Sequence, residues 1–211
     1  MAFYNYTTSQ AADILLPRGE IVAVGADQLP HIEATRRVAA KINKQFGTVF
    51  PHKPFALLGD TPRLVGTDGK DKMSKSLGNA IMLSDTEEEV VKKVKKMITD
   101  TNRKSKFDPG NVDNNAVFNY LDVFFEDKSL LNDYKQRYTA GGENSPGDME
   151  LKTMLADTLN TLLAPMRAKR KEYEEQPQLV TEALEEGSAY ARTIGQKTLH
   201  DLKEALGILH Y

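Results

Sequence analysis

"EIVAVG", residues 20–25, decides the fold. Ile21, Val22 and Val24 form a short β-branched apolar run closed by Gly25, which is how a buried parallel strand reads. From about Gln28 to Phe46, Ile32, Val38, Ala39 and Ile42 recur at helical spacing. A strand, a sharp glycine turn and a helix make a βα unit, so the spacing predicts an α/β sheet. Working outward, Thr7, Thr8 or Ser9 is placed to cap a short helix through "QAADILL", which Pro17 and Gly19 end.

Downstream of Asn79 the strand signals stop. Ser84 and Glu87 are spaced as a capping box ahead of Val90, Val91, Val94, Met97 and Ile98. Residues 114–125 are apolar enough for a buried helix, and "ENSPGD", 143–148, reads as a turn or linker. A long helix is expected from Met149 to about Glu175, with Leu151, Leu155, Leu159, Leu162 and Met166 on one side and a kink at Pro165. Leu199, Leu202, Leu206 and Leu209 continue at near-helical spacing in the tail. The architecture expected is an α/β piece over 1–80, a helical region over 81–180, and C-terminal helices over 181–211 that pack back on the core.

Composition excludes several classes. The 211 residues suffice for one large domain or two small ones, and 40% hydrophobic with 27% charged is ordinary for a soluble protein. No apolar run approaches membrane-spanning length, and "MAFYNYTTSQ" has no basic segment followed by an apolar core, so it is not a secretory signal. With no cysteine the chain has no disulfide, thiolate metal site or cysteine nucleophile, which fits a cytoplasmic protein. A net charge of -2 requires any nucleic-acid contact to come from a local basic patch.

Three short stretches carry candidate chemistry. "DKMSKSLGN", 71–79, crowds Lys72, Ser74, Lys75 and Ser76 into a segment that suits neither helix nor strand. Taken alone it is either a solvated turn or a loop for polyphosphate, with lysines as movable charges, hydroxyls and backbone N–H groups as donors, and Gly78 as a hinge. "VGADQ", 24–28, follows the strand, and ligands bind at the carboxyl ends of strands in open α/β sheets. Gly25 would permit close approach, Asp27 would accept from ribose hydroxyls and Gln28 would bond a second substrate; a structural turn with an Asp cap is the other reading. In "YTTSQAAD", 6–13, Gln10 and Asp13 share one helix face. Asp13 suits a pocket that binds an N–H donor, or else it is an exposed carboxylate on a short amphipathic helix.

Taken together these stretches resemble the class I aminoacyl-tRNA synthetases, and within them the tryptophan branch. "KMSKSLGN" is similar to the second signature of the class. "SQAADILL" with the following Gly25 and "DQLPHIEATRR", then "MITDTNR…DPGNVDNNAVFNYLDVFF" over 97–125 and "LLAPMRAKRKEY", resemble that branch more closely. The resemblance covers essentially the whole chain. It implies the C-terminal half of a Rossmann-like parallel-sheet domain followed by a mostly helical domain. It implies ATP and Mg²⁺ as cofactors, tryptophan and tRNA as substrates, and a homodimer. Asp13 would accept the indole N–H; Tyr6 and Gln28 would hold the α-amino group; Val24 and Gln10 would line the pocket. Gly25 and Asp27 would contact the adenosine ribose, while Lys72, Met73, Ser74 and Lys75 would form the ATP phosphate loop, with Lys72 and Lys75 catalytic. Arg167, Lys169, Arg170 and Lys171 fall in the family's anticodon-binding region and are expected to meet tRNA phosphates.

Two departures stand out. Ala26 occupies a position that is usually Glu, and Gln10 one that is Met in many members. The His-containing ATP signature of the family's first half has no counterpart, and His31, His52, His200 and His210 read as isolated surface histidines. By the resemblance, about one small domain's worth of residues should precede Met1, so this chain is expected to be inactive alone. The tyrosine branch shares the lysine–serine loop, but "HIEATRR" and "NNAVFNYLD" argue against it. A non-catalytic fragment that binds tRNA or a partner is the alternative of another class.

Overall fold

A computed structural model describes residues 2–59, 64–69, 73–113 and 115–208, the side chains of 2–4 excepted. The chain forms two compact units, Met1–Asp60 with Gln176–Tyr211, and Thr61–Glu175. The lysine–serine loop therefore belongs to the unit that contains the central helices.

The first unit holds α1 (Ala2–Leu15), β1 (Ile21–Val24), α2 (Leu29–Phe46), β2 (Phe55–Leu58) and α7 (Pro177–Ala205). The βα unit forms where the sequence places it, with a 3-10 turn, Ala26–Gln28, leading into α2 and Pro30 in the first turn of α2, where no N–H is needed. β1 and β2 are parallel, with Ile21 opposite Phe55 and Val24 opposite Leu58. The crossover is closed by Asn43, whose Oδ1 accepts from the N–H groups of Val49 and Phe50 and whose Nδ2 donates to the Phe50 carbonyl. Leu15, Ala39, Val49 and Phe50 form the core, against which Ile42, Leu202 and Ala205 pack. Arg18 fastens α7 by donating to Thr198 and pairing with Asp201 at 2.5 Å.

Two expectations are corrected here, and one strand was not anticipated. α1 begins well before Thr7, so Thr7, Thr8 and Ser9 lie inside the helix instead of capping it. The strand is not buried: Ile21 is 69% exposed and Phe55 58%, because the sheet has two strands and its apolar faces lack full cover among the described residues. β2 itself escaped the sequence reading, since "FALL" is four residues long and contains no β-branched side chain.

The second unit holds α3 (Glu87–Lys95), α4 (Ala116–Phe124), α5 (Lys128–Ala140) and α6 (Asp148–Glu175) around one apolar core. α3 has a capping box, but it is Thr86 with Glu89, two residues beyond the expected pair. Asp85 sets that start: its carboxylate accepts from the Met82 N–H and pairs with Lys93, which leaves Thr86 as the last extended residue. Asn115 caps α4 through the Val117 N–H. On α6, Leu151, Leu155 and Leu159 are buried as expected, whereas Leu162 is 42% exposed and Leu163 is buried instead. α6 packs on both α3 and α4, so its buried stripe shifts along its length, which a single helical face does not anticipate. Leu209 lies outside the described residues.

Arg103 organises the segment between α3 and α4. Its buried guanidinium donates to the carbonyls of Lys106, Asp108 and Pro146 and to Ser145 Oγ, pairs with Asp148 at 3.3 Å, and lies 4.0 Å from the Tyr138 ring centre. Tyr120 joins the same core to the segment before the loop by donating to the Val65 carbonyl at 2.7 Å. Burial, with the Asp68 charge adding to it, pushes the Tyr120 phenol up from 10.0 to about 12. A raised folded-state pKa gives stability that is complete below the unfolded value and lost as pH rises through the folded one. The urea midpoint advantage of the wild type over Tyr120→Phe should therefore be constant below pH 10.0 and shrink between there and about 12. A constant difference across that range would mean that the phenol is not held neutral by the fold.

Candidate functional site

The candidate residues fall into two groups, one in each unit. In the first unit, α1 presents Tyr6, Gln10 and Asp13, and the turn after β1 presents Val24, Gly25, Asp27 and Gln28. Side chains connect the two elements. Gln10 Nε2 donates to Gln28 Oε1 at 3.3 Å, and Gln28 Nε2 donates to Asp27 Oδ2 at 3.3 Å. At Gly25 a Cβ would sit 2.8 Å from Asp27 Oδ1, so a larger residue there would push the exposed Asp27 carboxylate aside. Gln10 Oε1 is buried with no donor among the described residues, a costly arrangement that an N–H from outside would relieve.

The remaining residues of this group are open. Tyr6 is 58% exposed, and its ring edge meets His31 with centres 5.4 Å apart. His31 is thus not an isolated surface histidine: it is half-buried and shares a 2.9 Å hydrogen bond with Thr7. Val24 is half-buried, and Asp13 is exposed with no side-chain partner among the described residues. No physical basis for a desolvated Asp13 lies within these residues.

In the second unit, Lys72 lies outside the described residues. Met73 is half-buried, packs against the helical core and lines a cavity of about 90 Å³ with Tyr120 and Phe124. Ser74 and Ser76 share a hydrogen bond of 2.9 Å between their hydroxyls. Lys75 is exposed and unpaired among the described residues, and Gly78, at φ 65°, closes the turn by donating to the Lys75 carbonyl at 3.2 Å. Only glycine takes that backbone conformation without strain.

The basic residues of α6 are mostly engaged. Arg167 donates to the Asp85 carbonyl and to Asn160 Oδ1, both at 2.8 Å, which binds α6 to the start of α3. Lys169 pairs with Glu172, Arg170 with Glu174 and Lys171 with Glu175 along the same helix. Glu172 holds the Lys169 ammonium above its ordinary range by hydrogen bond and charge. The cluster of basic residues and the family resemblance marked this stretch, but the acidic residues one turn on were the signal that it is neutralised.

The parallel strand with its glycine turn lies in the first unit and the lysine–serine loop in the second. Residues 4–178 match the family described as tRNA synthetases class I (W and Y), and the chain belongs to that family. It is 49% identical over 204 residues to the tryptophan–tRNA ligase of Treponema pallidum, a match that covers 97% of this chain and 59% of that protein. Its fold is similar to the crystal structure of tryptophanyl-tRNA synthetase from Campylobacter jejuni complexed with ADP and tryptophan, with a TM-score of 0.75, 34% identity, and coverage of 97% of this chain and 62% of that one. Tyrosyl-tRNA synthetase from Aeropyrum pernix, at 22% identity and a TM-score of 0.54, shares the fold alone. The chain thus spans 59% of the length of the Treponema pallidum ligase that it matches.

Proposed function

We propose that this chain is the C-terminal part of an ATP-dependent ligase that attaches tryptophan to its tRNA. The observation that carries the reading is the Gln10–Gln28–Asp27 chain of hydrogen bonds, which joins helix to strand end around a buried acceptor that lacks a donor among the described residues. An α-amino group or indole N–H from the amino acid would satisfy that acceptor. Gly25 leaves room for a ribose whose hydroxyls donate to Asp27. Tyr6, Val24 and Asp13 complete the tryptophan wall, which requires cover that the described residues do not supply.

The tryptophan carboxylate attacks the α-phosphate of ATP and pyrophosphate leaves; the activated carboxyl then passes to tRNA and AMP leaves. Lys75, Ser74 and Lys72 stabilise the departing phosphates, so this part of the reaction is positioning and charge stabilisation with no covalent enzyme intermediate. No group of three or more potential metal ligands is gathered among the described residues. Mg²⁺ would accompany the ATP phosphates and share their charge. Lys169, Arg170 and Lys171 are kept for tRNA phosphates, since exposed surface pairs of this kind contribute little and exchange readily. Arg167 is left with its structural role. No helix among the described residues is long and apolar enough to cross a membrane. We place the ligase, as a homodimer, in the cytoplasm.

The test is amino-acid-dependent ATP–pyrophosphate exchange by a complete ligase carrying this sequence. Exchange with tryptophan and not tyrosine is expected; a preference for tyrosine would overturn the branch. The 211-residue chain by itself should give no measurable exchange, because synthetase groups act as a unit. Robust exchange by the isolated chain would mean that it holds a complete ATP site.

A further inference from the structure

Asn79, at the downstream end of the lysine–serine loop, is 4% exposed, and both ends of its side-chain amide are hydrogen-bonded. Its Oδ1 accepts the Ser74 N–H at 2.8 Å. Its Nδ2 donates to the two carboxylate oxygens of Asp68 at 3.2 and 3.1 Å. Its carbonyl accepts from the Thr67 N–H at 2.9 Å, and the Thr67 carbonyl accepts in turn from Ile98, just beyond α3. The approach has been made possible at Gly66, where a Cβ would stand 2.2 Å from Asn79 Nδ2 and 2.7 Å from Asp68 Oδ1. At the upstream end of the loop, Met73 is packed on the helical core.

We propose that Asn79 is a latch that fixes the base of the loop on Asp68, and so is a positioning residue for the phosphate-handling step. The argument is geometric. Residues 74–78 are tethered at one end by an apolar side chain and at the other by an amide with three partners, while the Lys75 ammonium between them is exposed. Two anchored ends restrict a short loop far more than one, so Lys75 is presented from a small set of positions. The latch also occupies the Ser74 N–H, so that donor is available to a phosphate only when Asn79 lets go. Neither aspartate nor alanine can replace Asn79 alone. Alanine removes the bonds to both Ser74 and Asp68; aspartate keeps an acceptor for Ser74 but faces Asp68 with a like charge. Exchanging the two residues restores a donor opposite a carboxylate.

The inference rests on the ligase reading for its consequence but not for its geometry, and the test separates the two. In the 211-residue chain, exchange of the Ser74 amide is followed by NMR in Asn79→Ala, Asn79→Asp, Asp68→Asn and the Asp68→Asn/Asn79→Asp double variant. Asn79→Ala and Asn79→Asp should speed that exchange about tenfold or more with core amides such as Leu155 unchanged, and the double variant should recover most of the protection. Unchanged Ser74 exchange, a double variant no better than Asn79→Asp, or global unfolding by Asn79→Ala would each overturn the latch. In a complete ligase, Asn79→Ala should lower the adenylation rate about tenfold at unchanged KM for tryptophan, with recovery in the double variant. A normal rate there would overturn the positioning role. A wild-type ligase that forms no tryptophanyl-adenylate would instead remove the ligase reading and leave the latch standing.

Discussion

In a complete ligase, Asp13→Ala is expected to narrow the preference for tryptophan over phenylalanine by up to about 10⁴-fold, the largest effect of any single substitution in this chain. An apolar pocket separates aromatic side chains weakly, since a few atoms of shape difference are worth about 1–3 kcal/mol. A carboxylate that must be paired separates them strongly. Tryptophan brings an indole N–H to it, whereas phenylalanine leaves it desolvated and alone. The structure adds a condition. Asp13 is exposed within this chain and lacks a side-chain partner among the described residues, so its power to discriminate depends on cover from elsewhere in the ligase. The same substitution in the isolated chain should therefore leave both stability and any residual tryptophan binding unchanged. Adenylation efficiency with both amino acids, before and after substitution, checks the first statement, and calorimetric titration of the isolated chain checks the second. An unchanged ratio in the complete ligase would remove Asp13 from the recognition site.

Lys75→Ala is expected to slow adenylation in the complete ligase by about 10²–10³-fold while tryptophan affinity stays within a small factor. Charge accumulates on the departing phosphates mainly in the transition state, so a donor aimed at them acts on rate more than on ground-state binding. Lys75 is exposed and unpaired among the described residues, hence the variant should unfold at the wild-type temperature, and the loss is then chemical. Single-turnover adenylation against equilibrium tryptophan binding separates the two effects. Normal turnover with collapsed tryptophan affinity would move Lys75 from the phosphates to the amino acid.

The elements that were legible in the sequence are those whose signals are local. "EIVAVG" and the spacing of Ile32, Ala39 and Ile42 are read within one strand and one helix, and β1 and α2 appear where expected. The lysine–serine stretch was legible as a segment outside helix and strand for the same reason. Asn79 had been noticed only as a residue unsuited to helix or strand; its partner Asp68 lies eleven positions away, with no periodicity connecting them.

By itself the sequence determined the α/β class, the order of strand, loop and helices, and the family, because backbone preference, hydrophobic period and motif spacing are properties of neighbouring residues. Tertiary structure alone decided which pairs meet across the chain. It moved the α3 cap from Ser84 to Thr86 through the pairing of Asp85 with Lys93, and turned the α6 stripe from Leu162 to Leu163. It left the two strands half-bare and Asp13 open, and it closed Asn79 on Asp68. Burial and hydrogen bonding depend on what arrives from a distance, and that is set by packing, which no local pattern encodes.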